Sequence, residues 1–153
     1  MIKYIFIRRE IEALMKMLEL SVNRIWIFDS MNLSQNDYIS AIESLSKKKI
    51  IDILDKERVS IDPFFAALLK NAFNPRIFLD VEERHLLCIS NDIVIVFEQD
   101  ARTEKVIKLL PFPDLNACME YFAWDKSETP VCRIKGEEKV YQTLKEIEGE
   151  LNE

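Results

Sequence analysis

His85 is the one histidine in a chain of 153 residues, and it stands beside two acids in "DVEERHLLCI". An imidazole oriented by a neighbouring carboxylate such as Glu82 or Glu83 is a legitimate general base. No serine or cysteine lies in the strand-to-helix elbow that would activate it as a nucleophile. The commoner setting for a lone histidine after a pair of acids is the edge of a hairpin turn. The paired acids Glu82/Glu83 and Glu137/Glu138 are adjacent in sequence and read as solvated charge. Cys88, Cys118 and Cys132 are far apart, with no Cys-x-x-Cys and no Cys/His pairing on which to build a zinc site. They read as reduced, buried thiols. Gly136 and Gly149 are the only glycines, which excludes every glycine-rich phosphate loop. The expectation is a protein without catalytic residues, cofactor or metal site.

Hydrophobic residues make up 48% of the chain and charged residues 31%, the composition of a globular domain with a sizeable core. Charge is uneven. Residues 1–75 hold 11 Lys/Arg against 10 Asp/Glu, and residues 76–153 hold 10 against 17, within a net charge of −6. An acidic second half is ill suited to a phosphate backbone and better suited to a basic or apolar protein partner. No apolar run approaches the ~20 residues of a membrane span. The opening "MIKYIFIRREIEALMK" lacks a small-residue cleavage site, so a cytoplasmic protein is expected.

The elements follow from hydrophobic period and punctuation. "KYIFIR" (3–8) has edge-strand composition, and Ile11, Leu14, Met15 and Leu18 continue at helical spacing. "NRIWIF" (23–28) is a strand or a buried turn. Ser34 is an N-cap, with Tyr38, Ala41, Ile42 and Leu45 as the buried face of its helix. "KIIDIL" and "RVSI" around "DKE" form a short hairpin, and Asp62-Pro63 starts a helix that Asn74-Pro75 ends. From residue 76 the runs "RIFLDV", "HLLCI", "DIVIVFE" and "KVIKLL" predict an antiparallel meander. Asp114 caps a helix bearing Leu115, Cys118, Met119 and Phe122. "VCRI" adds a last strand, and residues 137–151 read as a helix with Val140, Leu144, Ile147 and Leu151 at near-heptad spacing.

The fold class is therefore α+β: a winged-helix-like helical part over 1–75, packed as one compact unit with a four- to five-stranded antiparallel sheet and closing helices over 76–153. Trp26, Trp124, Phe64, Phe65, Phe73, Phe112 and Phe122 read as core. Trp124, at a helix end beside the polar "DKSETP", is the best aromatic anchor for a partner.

A winged helix raises the question of DNA. A groove-reading helix needs exposed polar or basic residues near its N-terminal end. Here Gln35 and Asn36 stand with Asp37 and Glu43, while Lys47 and Lys48 sit at the far end, where they suit the helix dipole. The turn "DKER" carries two acids and two bases. A winged helix reused as a protein-binding unit is the favoured reading, and a DNA-binding transcriptional regulator using Gln35, Asn36, Lys47 and Lys48 is the alternative.

The succession "RIWIF", "LSKKKII", hairpin, "VSIDPFFAALLKNAFNPRIFLDV" and meander, over roughly residues 8–122, resembles one half of the ESX (type VII) secretion-associated EspG family. Members are cytosolic chaperones that keep secretion substrates soluble, built from two pseudo-symmetric halves. The resemblance implies a secretion-chaperone-like role and transfers no site residue. It also suggests that a half-length relative regains its second half by pairing with itself. A homodimer is expected, through the C-terminal sheet edge or through a seam of Val140, Leu144, Ile147 and Leu151, which with Trp124 are the expected protein-binding residues.

Overall fold

The computed structural model describes residues 3–20, 33–56, 58–103, 105–135 and 138–152. Trp26 and the "NRIWIF" segment lie outside them. The described chain is α+β, with a seven-stranded antiparallel sheet in the order β1-β7-β6-β5-β4-β8-β9 and a separate two-stranded hairpin.

The first strand, β1 (Tyr4–Ile7), runs directly into α1 (Arg8–Met17). The Glu10 carboxylate reaches back to accept the Ile7 N–H at 2.7 Å, so one of the otherwise unpaired donors at the helix start is satisfied. In α2 (Gln35–Lys47) the Ser34 hydroxyl accepts the Asp37 N–H, as the sequence suggests. The hairpin β2 (Ile51–Ile53) and β3 (Val59–Ile61) follows, and α3 (Pro63–Ala72) starts at Asp62, whose carboxylate accepts the Phe64 N–H. Leu68, Leu69 and Ala72 of α3 join Ile11, Leu14 and Met15 of α1 and Leu45 of α2 against one face of the sheet.

The meander comprises β4 (Ile77–Val81), β5 (His85–Ile89), β6 (Val94–Gln99) and β7 (Val106–Phe112), with α4 (Leu115–Phe122) after it. These strands are buried on both faces, which explains their near-continuous apolar runs. Leu86, Cys88, Ile95 and Phe97 point to the α1–α3 side, and Leu87, Ile89, Val94 and Val96 to a second core under α4.

Two expectations are corrected. The sheet has seven strands, not four or five. Residues 4–7 pair with β7 at one end, and β8 (Pro130–Lys135) and β9 (Glu138–Thr143) form a hairpin beyond β4 at the other. The first 75 residues thus supply an edge strand to the sheet of the second half. The helix expected over 137–151 is in fact two elements, β9 and then α5 (Leu144–Leu151). Val140, Tyr141 and Thr143 have strand-favouring side chains, and pairing with β8 satisfies their backbone better than a solvated helical turn. Thr143 then caps α5 by accepting the Glu146 N–H.

Candidate functional site

The ends of an open sheet are where unpaired backbone groups collect, and here the two ends differ. At β1 the outward-facing groups belong to Ile5 and Ile7. The Ile7 N–H goes to Glu10, and the Ile5 carbonyl accepts from Lys48 Nζ at 3.2 Å. Lys48 Nζ also lies 2.7 Å from Glu10 Oε1, and the Ser44 hydroxyl donates to Glu10 Oε2 at 2.7 Å. Glu10 is 0% exposed, yet its charge is met from three sides. The helices thus cover this edge at the Ile5 carbonyl and the Ile7 N–H. At the opposite end β9 has no described neighbour beyond it, and Tyr141 is 78% exposed.

A second exposed apolar feature is the tip of the β2–β3 hairpin. Ile53 and Leu54 are 49% and 59% exposed, while the nearby cation Arg58 is paired with Asp55 at 2.7 Å. Of the residues marked for DNA contact, Gln35 and Asn36 are exposed at the start of α2, and Lys47 is exposed at its end. Lys48 is committed to Glu10 and Ile5. The structure therefore does not bring Gln35, Asn36, Lys47 and Lys48 into one free cationic face.

His85 opens β5 directly after the β4–β5 turn, as its sequence context suggests, but its side chain is turned inward. It is buried on β5, opposite Glu98 of β6, with Nε2 at 3.0 Å from Glu98 Oε2. The expected partners Glu82 and Glu83 instead form the exposed turn, both with positive φ. Cross-strand pairing, which sequence adjacency does not reveal, chose the carboxylate. Lys108 and Arg84 lie 3.7 and 3.9 Å from the other Glu98 oxygen. Phe122 and Trp124 wall the imidazole edge-on at 4.8 and 5.2 Å, and the two rings stack on each other at 4.5 Å. Burial is the larger effect on the imidazole and lowers its pKa, against the opposing pull of Glu98. Cys88, also on β5, points to the other face of the sheet. The arrangement is a walled-in ion-pair network beneath Trp124.

The five residues marked for protein contact fall in different surroundings. Trp124 is half-buried against Phe122. Val140 lies on β9 and is 36% exposed. Leu144 and Ile147 are both 0% exposed in the core under α4 and α5, so they are core residues and not a seam. Leu151 packs partly against the same core. The side chains of Arg133 and Gln142 both bond Glu150, holding α5 down on β8 and β9. Sequence reasoning missed Tyr141, Ile53 and Leu54. The strand-like "VYQT" carried the signal for the first, and an apolar pair running directly into a charged turn carried it for the others.

Among the described residues no helix is long and apolar enough to cross a membrane. Comparison with protein-family models and with curated proteins finds no match.

Proposed function

We propose that this chain is a non-enzymatic, cytosolic protein-binding adaptor of the secretion-chaperone kind, and that the β2–β3 hairpin is its contact for an apolar segment of a client. The observation that carries this reading is the hairpin tip, where Ile53 and Leu54 stand about half exposed beside Arg58, whose charge is met by Asp55. A wing that reads DNA presents cations at that point. The resemblance to one EspG half, with its hairpin, helix and meander in the same order, supplies the chaperone part of the proposal.

The alternative, a winged-helix transcriptional regulator, draws on one observation of its own: Gln35 and Asn36 are exposed at the start of α2. It predicts duplex binding that falls steeply with salt.

Burying the exposed half of an aliphatic side chain contributes about 1 kcal/mol. Ile53→Asp and Leu54→Asp together remove about 2 kcal/mol of client contact and add charge, so affinity drops at least ~30-fold. The experiment captures partners with the full chain and with this double variant in parallel. A polypeptide retained by the first and lost by the second supports the reading. Nucleic acid retained at physiological salt, with no such polypeptide, overturns it.

A further inference from the structure

The two sheet edges make a directional statement about assembly. Hydrogen bonding alternates along each strand of an antiparallel sheet, so one known bond fixes the parity of the rest. The Ser90 N–H donates to the Ile93 carbonyl at the β5–β6 turn. Even-numbered residues of β5 therefore bond to β6, and odd-numbered residues bond to β4. Carrying this alternation through the strand registers leaves the odd residues of both outer strands facing out. On β1 these are Ile5 and Ile7, whose outward groups Lys48 and Glu10 take up, which confirms the parity independently. On β9 they are Lys139, Tyr141 and Thr143.

We propose that β9 pairs antiparallel with β9 of a second copy about a two-fold axis at Val140, joining two seven-stranded sheets into one. In an isologous pair the axis must pass through a residue facing its own copy. An axis at Lys139 sets two ammonium groups opposite one another, which is repulsive. An axis at Tyr141 sets the outward Thr143 opposite Lys139. As the N-cap of α5, Thr143 has a carbonyl already accepting the first bond of that helix, so half of that pair is lost. An axis at Val140 sets Lys139 opposite Tyr141 twice over, and each of these pairs exchanges both hydrogen bonds. On that face the Lys139 cation meets the Tyr141 ring, a favourable contact. On the other face Val140 meets Val140, flanked by Glu138 opposite Gln142. Of these three registers, the one at Val140 combines complementary side chains with a full set of backbone bonds. The alternative seam along α5 is closed, because Leu144 and Ile147 are already buried within the chain. The proposal is independent of the hairpin-tip reading, since β9 and the β2–β3 tip are different elements.

The axis gives a sharp test with the full chain. Val140 faces its own copy in a non-hydrogen-bonded pair, with a Cα separation of about 4.5 Å. That lies within the ~4.4–6.8 Å that a disulfide spans. Glu138 lies four residues, ~13 Å, from its copy in the same register. Under mild oxidation Val140→Cys forms a covalent dimer and Glu138→Cys does not, with both substitutions placed on a Cys132→Ser background so that Cys88 and Cys118, both fully buried, are the remaining native thiols. Light scattering on the unmodified chain shows a mass rising with concentration above the 18.0 kDa of one chain. Val140→Lys, with its thermal unfolding unchanged, weakens that association at least tenfold. A constant single-chain mass over the whole range, or a Glu138→Cys link as efficient as that of Val140→Cys, overturns the proposal.

Discussion

Replacing Lys48 by Met tests the closed edge. The ammonium meets Glu10 Oε1 at 2.7 Å and the Ile5 carbonyl at 3.2 Å, and it lies 5.6 Å from the centre of the Phe6 ring. The Glu10 side chain is 0% exposed and that of Lys48 39%, so the pair is buried at one end and wet at the other. Met preserves the stem and removes only the charged head. Glu10 keeps the Ser44 hydroxyl and the Ile7 N–H but loses the Lys48 cation. A charge-assisted hydrogen bond contributes about 1.5–3 kcal/mol and a bond to a neutral carbonyl about 0.5–1.5 kcal/mol. The exposed end of Lys48 moderates both, and the expected loss is about 2–3 kcal/mol. For a chain of this size that lowers the melting temperature by roughly 5–10 °C. Urea unfolding followed by circular dichroism reads the loss directly, and adding Glu10→Gln recovers part of it because the two residues are coupled. A loss below about 0.5 kcal/mol, the scale of an exposed surface pair, would refute the claim that this contact closes the edge.

Three further outcomes are expected. His85, titrated by NMR as the only histidine, has its midpoint below the ordinary 6.5, because burial outweighs Glu98. The unfolded chain then takes up a proton that the folded chain resists, so stability present above about pH 6.5 is lost as pH falls toward the folded midpoint. His85→Phe removes that slope. Native Cys88 and Cys118 stay silent to a thiol reagent at neutral pH, since burial raises the Cys88 thiol well above its ordinary value and the Cys118 thiol to about 12. Cys132 is raised less and reacts first, and all three thiols react in denaturant. Finally, Ile147→Ala destabilises the fold by about 2–5 kcal/mol in urea unfolding without changing the oligomeric mass. A seam residue gives the reverse pattern.

Much of the local structure was legible because its causes are local. Ser34, Asp62 and Asp114 each cap the helix that their sequence context announces. The turns "EER" and "SN" each join the adjacent strands of the meander. What escaped was decided across the chain. The pairing of residues 4–7 with β7, about a hundred positions away, enlarged the sheet. Residues 138–143 have apolar spacing that fits a helix as well as a strand, and a partner strand settled the matter. The same holds for the site residues. Glu10 and Lys48 are ordinary helix residues until α1 and α2 set them 2.7 Å apart. His85 lies near two acids in sequence and is paired with a third.

The most direct test of the protein-binding account is a covalent one. A photoreactive benzophenone side chain placed at Leu54, the most exposed apolar residue of the hairpin tip, records whatever touches it under illumination in the source cell. The account predicts a discrete polypeptide adduct that is absent when the same group is placed at exposed Glu120, on α4. Adducts to nucleic acid at Leu54, or the same polypeptide adducts from both positions, would contradict it.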